Sequence, residues 1–433
     1  MFCSRHESSG RRRASGLSAA RGFAASAAAA ALALFLTGCV EGPLPAPVRH
    51  TGDPIVDGNA ELAAAPAKDR VLWDYRIAAS ALRAGKYDEA KAKLDDAITR
   101  MGGIIANDES AKKARSLFAN ESDKTFIGEP YERAMAFYYR GLLYWRDGEP
   151  DNARACFRSA QFIDGAAVQE NYRGDYVLFD YLDGLASAKL SDDGSDAFAR
   201  AQTLAKHDLP AYDKDANVLC FVEFGQGPRK YAAGQYGEEL KFRAQQSRIR
   251  SARLIIDDRT ANFTPWDNLS YQAITRGDRV MDHILGNKAV FKQGAEAAGD
   301  LALVGAAIAA DNIYKEPRRV PPQIGPDGRP VPQRPEVEKN YDAENAAIAL
   351  GVIGLIGKVA ASATTPRADT RTWENLPQYL SFSALKLPAG SYPATLQFVD
   401  AQGEPVADLT RRFTLTVNDP AHDTVVILSE LKR

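Results

Sequence analysis

Cys39 is the residue of this 433-residue chain whose surroundings most clearly predict a chemical event. It follows an apolar run of alanine, leucine and phenylalanine at residues 22–36, from which Thr37 and Gly38 separate it. The segment before the run is basic, with five arginines against one glutamate. At about 1.5 Å per residue the run would span roughly 22 Å, short of the ~30 Å hydrocarbon core of a bilayer. This pattern predicts a secretory signal peptide over residues 1–38, which cleavage removes.

The box Leu36-Thr37-Gly38-Cys39 resembles the lipobox of bacterial lipoproteins. The resemblance implies that Cys39 becomes the first residue of the mature chain and that its thiol carries a diacylglycerol. Because each buried CH₂ contributes about 0.8 kcal/mol, several acyl chains together anchor a protein stably. Val40 stands where an aspartate would favour retention in the inner membrane. The expected location is therefore the outer membrane, with the protein facing the periplasm.

The remaining reactive residue types do not form a catalytic or metal-binding pattern. Outside the signal peptide the histidines are His50, His207, His283 and His422. None has a second histidine or a cysteine three or four positions away, as a helical metal site would need. The sequence contains no G-x-S-x-G, C-x-x-C or H-E-x-x-H motif. We therefore expect no catalysis, and no bound cofactor, metal or small-molecule substrate.

Charge and cysteine content limit the partners further. Removal of residues 1–38 leaves 49 basic side chains (54 less 5) and 55 acidic ones (56 less 1), a net charge of −6. This balance offers no basic surface for nucleic acid. Cys156 and Cys220 lie in apolar surroundings, and an oxidising periplasm would permit a disulfide between them. Two separate buried thiols fit the pattern better.

Two stretches of the first half, residues 76–98 and 133–163, share one spacing of small and large residues. The shared positions are Gly85, Ala90, Leu94 and Ala97 in the first copy and Gly148, Ala153, Phe157 and Ala160 in the second. A glycine would end one helix, small residues would let the next helix approach closely, and the large residue would fill the seam. This resembles the tetratricopeptide repeat, with a degenerate third copy at residues 178–205, and predicts stacked helix hairpins.

Repeats of this kind present a concave groove lined by the first helix of each pair. The residues expected there are Tyr75, Leu82, Tyr138, Trp145, Arg146 and Tyr181. Aromatic side chains of this type supply much of the contact area of protein interfaces. The sequence equally allows these aromatics to be buried against an additional helix or against the second half of the chain.

After Pro210 the pattern changes to strands. Residues 217–230 form an apolar run that ends in a Gly-Pro turn, and residues 252–258 form a shorter one. At the C-terminus, Pro-Ala-Gly, Ala-Gln-Gly and Asn-Asp-Pro separate four predicted strands of an antiparallel sheet or small sandwich.

Two alanine-rich segments, residues 295–310 and 343–363, flank a loop at 316–338 that contains seven prolines. Their apolar stretches are short for a membrane span, so we expect a buried helix pair with its glycines at the contact. These glycines are Gly351, Gly354 and Gly357. Insertion into a membrane or a partner is the alternative.

The predicted architecture is α+β, with a helical repeat domain followed by a β-rich domain that carries the apolar helix pair. Its parts are the signal peptide 1–38, a flexible tether 39–66 rich in Pro, Gly and Ala, the repeat domain 67–210 and the β-rich domain 211–433.

The order of the lipobox, GEPYERAMAFYYRGLLYW, VEFGQGPRK and ADTRTWENLPQYLSFSALKLPAGSY resembles a group of bacterial lipoproteins with tetratricopeptide-like repeats. The resemblance covers most of the mature chain and implies an architecture and an envelope location, but no catalytic residues. Within the last of these motifs, we expect Asp369 and Arg371 to pair and Trp373 to anchor helix to sheet.

The function expected from these features is that of a lipid-anchored, non-enzymatic scaffold or adaptor for envelope proteins. An envelope pore or secretion component that uses the alanine-rich helix pair is the alternative. An enzyme that acts on cell-wall polymer is a third hypothesis, for which the location alone speaks.

Replacement of the predicted lipid-bearing residue, Cys39→Ala, should move the protein from the membrane fraction to the soluble fraction, because no acyl chain can then be attached. Cell fractionation followed by immunoblotting measures this change. Retention of the variant in the membrane would instead indicate that residues 295–363 hold the chain there.

Overall fold

Seven of the eight α-helices that the structure describes precede all of its described strands, so the architecture is α+β. The computed structural model describes residues 50–106, 123–165, 174–190, 193–275 and 367–431, with two short strands at 323–324 and 330–331. Several predicted features lie outside the described residues: the signal peptide 1–38, the lipidation site Cys39 with the tether up to residue 49, the helix pair at 295–310 and 343–363, and most of the Pro-rich loop.

The helices are α1 (Pro54–Ala64), α2 (Arg70–Arg83), α3 (Tyr87–Ala106), α4 (Pro130–Arg146), α5 (Pro150–Asp164), α6 (Val177–Lys189), α7 (Ser195–Leu204) and, within the β-rich part, α8 (Leu269–Ile274). Consecutive members of the pairs α2–α3, α4–α5 and α6–α7 pack against each other. The first half is therefore a series of helix hairpins.

Glycines end the first helices of two hairpins, as the sequence predicts. Gly85 and Gly148 have φ angles of +75° and +83°, a left-handed conformation that glycine adopts without steric cost. In the helix that follows Gly148, the predicted seam residues Ala153, Phe157 and Ala160 are all fully buried. The repeated spacing thus correctly identified the helix ends and the contact face between paired helices.

The two helices of one hairpin approach closely at Gly141 of α4. A Cβ atom at this position would lie 2.7 Å from Cε1 of Phe157 and 3.2 Å from Cβ of Cys156. Atoms in van der Waals contact need about 3.5 Å or more, so only glycine fits without a shift. The predicted pairing of a small residue with a large ring across the hairpin is the one observed.

Helix α1 corrects the predicted tether, because residues 54–64 are helical and not extended. The Asp53 side chain accepts hydrogen bonds from the Ile55 and Val56 amides, and Pro54 occupies the first turn. Proline is favourable there, since that amide needs no partner within the helix. At Gly58 an added Cβ would lie 2.8 Å from Ile77, so α1 packs tightly against α2. Composition alone indicates a linker at residues 54–64. The Asp53 cap and the contact of Gly58 with Ile77 instead stabilise a helix there.

The strands are β1 (Val218–Gln226), β2 (Arg229–Ala233), β3 (Glu239–Arg243), β4 (Ile249–Ile256), β5 (Arg259–Phe263), β6 (Asp267–Asn268), β7 (Gln323–Ile324), β8 (Pro330–Val331), β9 (Pro377–Leu385), β10 (Gly390–Asp400), β11 (Arg411–Val417) and β12 (Thr424–Ser429). One four-stranded sheet has the order β12-β1-β9-β6 and the other β11-β10-β4-β5. The ladders are antiparallel, except that β1 and β12 run parallel. All four strands predicted at the C-terminus are present.

Strand β1 lies in the middle layer and is buried on both faces. Val218, Cys220, Val222 and Phe224 point towards the second sheet and belong to the core between the sheets. The alternating residues, Leu219 and Phe221, belong to the core shared with the helices. Because successive side chains of a strand point to opposite faces, one strand contributes to two cores. The layers are therefore helices, mixed sheet and antiparallel sheet.

Buried polar groups connect the helices to the β-rich part. Glu223 of β1 accepts hydrogen bonds from Nε of Arg83 and from Oη of Tyr139, the latter at 2.6 Å. Lys230 donates to the fully buried Glu132 at 2.6 Å. A buried charge is tolerated only when it is paired, so these contacts specify how the two halves dock.

The first amides of helix α6 donate hydrogen bonds to an acceptor in the β-rich part. The carboxylate of Asp267 accepts hydrogen bonds from the Val177 and Leu178 amides at 2.9 and 2.8 Å. Burial raises the pKa of Asp267 to about 7, against the opposing effect of these two bonds. Amides that would otherwise lack an acceptor at the start of the helix are thus satisfied across the interface.

The Asp-Thr-Arg-Thr-Trp segment has the structural role predicted for it. Arg371 pairs with Asp369 and also donates to Asp69, at 2.6 Å, just before α2. Trp373 is buried and stacks on Tyr75 of α2, with ring centroids 4.4 Å apart. The segment anchors the first helix hairpin to the sheet.

The substitution Gly141→Ala should lower the free energy of unfolding by about 1–3 kcal/mol, because the new methyl group overlaps the Phe157 ring. Urea unfolding of the full chain, followed by circular dichroism, measures this difference. Gly102→Ala is the matched control: Gly102 lies exposed in α3 with no atom within 4 Å of an added Cβ. That change should raise stability by about 0.5–1 kcal/mol. Equal effects of the two substitutions would contradict the close packing at Gly141.

Candidate functional site

Five of the six residues predicted to line a concave groove lie in the interior. The exposed fractions of Tyr75, Leu82, Tyr138, Trp145 and Tyr181 are between 0 and 3%. They are therefore not available to a partner in this structure, which corrects the groove prediction. The alternative, that the aromatics are buried against the second half of the chain, is the arrangement observed.

The contacts of these aromatic residues explain the correction. Tyr138 packs edge-on against Phe221 of β1, with centroids 6.4 Å apart, and Tyr181 packs against Phe382 of β9 at 5.8 Å. The mixed sheet of the protein itself thus covers the face that the first helices of the hairpins present. A binding partner and a sheet of the same protein would each pack against the same apolar stripe of aromatic residues. The spacing of these residues in the sequence therefore could not tell which of the two covers them.

Arg146, the sixth predicted residue, is exposed and borders an open cleft. The cleft has a volume of about 640 Å³ and is named here the Trp145 cleft. Its lining residues are Trp145, Arg146, Asp147, Gly148, Pro150, Ala188, Lys189, Lys214, Ala421, His422 and Asp423. They come from the α4–α5 turn, the end of α6, the loop before β1 and the turn before β12.

The inner part of the Trp145 cleft is a closed hydrogen-bond network. Asp423 accepts one bond from Nε1 of Trp145 and one from Nζ of Lys189, both at 2.8 Å. Lys189 donates further to the carbonyl oxygens of Ala216, at 2.6 Å, and of Lys214, at 3.4 Å. The ammonium group has three N–H donors, and each has an acceptor. This network fixes the turn before β12 against helices α4 and α6.

The outer part of the cleft carries exposed cationic and polar groups. Arg146 donates to Asp147 at 3.4 Å, and its guanidinium lies over the Tyr87 ring, 4.0 Å from the centroid. Asp147 pairs with Lys91 at 2.7 Å. His422 is held by Asp419, with Nδ1 at 2.8 Å from the carboxylate. The cleft can therefore receive a polar ligand on a preformed floor.

Sequence reasoning found only Arg146 and Trp145 of this cleft and missed Lys189, Lys214, His422 and Asp423. These residues come from separate segments, and none belongs to a spaced motif. The aromatic stripe that revealed Trp145 gave no signal for the loop and turn that complete the cleft.

The two cysteines outside the N-terminal segment are buried free thiols. Burial raises the pKa of Cys156 to about 11 and that of Cys220 to about 12. A thiol is reactive as the thiolate, so neither is activated near neutral pH. Within the described ranges, no cluster of three or more His, Cys, Asp or Glu side chains could hold a metal ion.

Comparison of the chain with protein-family models, curated proteins and solved structures found no match. None of the helices described in the structure is both long enough and apolar enough to cross a membrane. The interpretation of the Trp145 cleft therefore rests on the geometry of its own residues.

Substitution of the central acceptor, Asp423→Ala, should reduce the free energy of unfolding by about 1–3 kcal/mol, because the buried Trp145 N–H and Lys189 lose their acceptor. Urea unfolding monitored by tryptophan fluorescence reports this loss. The matched control is Asp408→Ala, which removes a carboxylate that is 67% exposed and paired with the exposed Arg248. Exposed pairs contribute little, so the control should change stability by less than about 0.5 kcal/mol. Indistinguishable losses would show that the inner network does not hold the turn.

Proposed function

We propose that this protein is a lipid-anchored envelope adaptor that binds a protein partner without catalysing a reaction, and that the Trp145 cleft is its binding surface. The observation that carries the proposal is the position of the cleft. It is built jointly by helix hairpins and the β-rich part, and its floor is fixed by the Asp423 network. An open cleft with a fixed floor needs little ordering when it binds, which suits it to recognition of a polypeptide segment.

The proposed anchoring rests on the signal peptide and the lipobox at Cys39. Lipidation would hold the protein at the outer membrane on the periplasmic side, where its partners would be envelope proteins. The net charge of −6 after processing favours protein partners over nucleic acid. Membership of the lipoprotein group named above remains part of this proposal.

We also propose that the three helix hairpins are tetratricopeptide-like repeats. The matched seam residues of both good copies support this interpretation. Leu94 and Phe157, at equivalent positions, are fully buried, as are the alanines four residues before and three after each of them. The copies differ from an open repeat array in one respect, because the mixed sheet and the segment before β9 cover the face formed by Tyr75, Tyr138 and Tyr181. Binding would therefore occur at the turns beside the array rather than in its concave surface.

The state of the carboxylates in the cleft supports a binding role. Both oxygens of Asp423 accept hydrogen bonds, and Asp147 is paired with Lys91 and Arg146. A general base needs a carboxylate that can reach and accept a substrate proton. Here the two carboxylates hold protein groups in place.

Site-specific photo-crosslinking in cells tests the adaptor function. A benzoylphenylalanine introduced at Ala421, which lines the cleft and is exposed, should crosslink the full chain to a defined set of envelope proteins. Charge reversal of the rim, Arg146→Glu with Lys214→Glu, should reduce this yield at least about fivefold, since it replaces attraction by repulsion.

The control for this experiment is Arg412→Glu, a charge reversal at an exposed position of β11. Its crosslinks should match those of the unsubstituted chain at equal protein abundance. Persistence of the same crosslinks in the rim variant, or equal loss in the control, would refute the cleft as the partner surface.

A further inference from the structure

We infer that the ligand of the Trp145 cleft is an acidic peptide segment, whose carboxylates bind Arg146 and Lys214 while neighbouring small apolar side chains contact the cleft wall. This inference rests on the proposed adaptor function and adds the chemistry of the partner. It follows from which groups of the cleft are already satisfied within the protein and which are not.

The negative charges of the cleft are used internally. Asp423 is neutralised by Lys189 and also bound by Trp145, and Asp147 is neutralised by Lys91. Lys189 has no donor left, since its three bonds go to Asp423 and to two carbonyl oxygens. The two carboxylates therefore offer a ligand no uncompensated negative charge, and Lys189 offers it no open donor.

The open groups are donors. Arg146 has five N–H donors, and the one bond to Asp147, at 3.4 Å, uses a single donor. Its face is occupied by the Tyr87 ring, which leaves the edge of the guanidinium for a ligand. Lys214 is exposed, and its ammonium makes no hydrogen bond or ion pair with any described residue. In His422, Nδ1 is held by Asp419, and Nε2 has no hydrogen-bond partner in the part of the chain that the structure describes.

The acidic residues beside Lys214 lie outside the lining of the cleft. Asp215 pairs with Lys386 at 2.8 Å, whereas Asp213 keeps its charge, since its bond at 3.0 Å comes from the neutral Asp215 amide. The lining itself carries three cations, Arg146, Lys189 and Lys214, against two carboxylates, Asp147 and Asp423. It therefore retains one positive charge, which is complementary to a carboxylate.

Size and wall chemistry favour a peptide over a small anion. The cleft volume of about 640 Å³ lies in the range of sites that hold several chemical groups. Pro150, Ala188 and Ala421 supply apolar wall between the cationic groups. The planar guanidinium of Arg146 matches the two oxygens of a carboxylate. A segment that alternates acidic and small apolar side chains satisfies both parts of the cleft.

Fluorescence anisotropy with the full chain in detergent tests the inference. The probe is a labelled eight-residue peptide that alternates glutamate with alanine, and its matched control has glutamine at each glutamate. We expect the acidic peptide to bind at least about tenfold more tightly at low salt, and a tenfold rise in salt to remove most of the difference. Arg146→Gln and Lys214→Gln should each weaken binding about threefold to fivefold, as exposed ion pairs do. Arg412→Gln should leave it unchanged.

Three results would overturn the inference: equal affinity for the acidic and amide peptides, absence of binding, or equal loss in the Arg412 control. Binding of phosphatidylglycerol vesicles in place of the peptide, lost in the double variant, would also overturn it and assign the cleft to a lipid headgroup. If the peptide fails while photo-crosslinks at Ala421 still depend on Arg146 and Lys214, the adaptor function stands and only the partner chemistry is wrong. If the crosslinks also persist in the rim variant, the adaptor function fails as well.

Discussion

The burial of strand β1 on both faces is the constraint on which the rest of the structure depends. Eight of its nine residues are buried, and alternate side chains enter two different hydrophobic cores. One face needs the second sheet as a cover, and the other needs the aromatic side chains of the helices. Neither half of the described chain could bury its apolar surface without the other. Glu223 is the charged residue on this strand, and its pairing with Arg83 and Tyr139 specifies how the helices seat on the sheet.

This constraint also determines where a partner could bind. The first helices of the hairpins present Tyr75, Tyr138 and Tyr181 to the sheet and to the segment before it, so that face is closed. Turns between helices and turns between strands meet at the margin of the contact between the hairpins and the mixed sheet. Turns pack less closely than the side chains of a core, so a cleft can remain between them. The Trp145 cleft is such a place, and the Asp423 network makes its floor rigid. Because the apolar face of the hairpins is used for folding, the polar groups at the margin are what remains for the partner that we propose.

Local patterns of the sequence predicted much of the architecture, and one was misleading. Gly85 and Gly148 marked helix ends, because a left-handed residue is needed there whatever the surroundings. The three C-terminal turns separated four strands for a similar local reason. The prediction of a flexible tether is wrong at residues 54–64. Their Pro, Gly and Ala content indicates a linker, but the residues form a helix. At those positions Pro54 starts a helix and Gly58 permits contact with Ile77. Proline and glycine, which are common in linkers, therefore support a packed helix here.

The sequence by itself determined the features that depend on neighbouring residues: the helix hairpins, the strand positions and the Asp369–Arg371 pair. Only the tertiary structure decided what covers the aromatic stripe and which residues form the cleft. Tyr138 is equally suited to a partner and to Phe221, because hydrophobic contact is non-directional and does not identify its counterpart. Lys189, Lys214 and Asp423 carry no shared pattern, and they come together because β12 pairs in parallel with β1 and brings the turn before it beside the helices. Long-range pairing of this kind leaves no periodic trace in the sequence, and it created the candidate site.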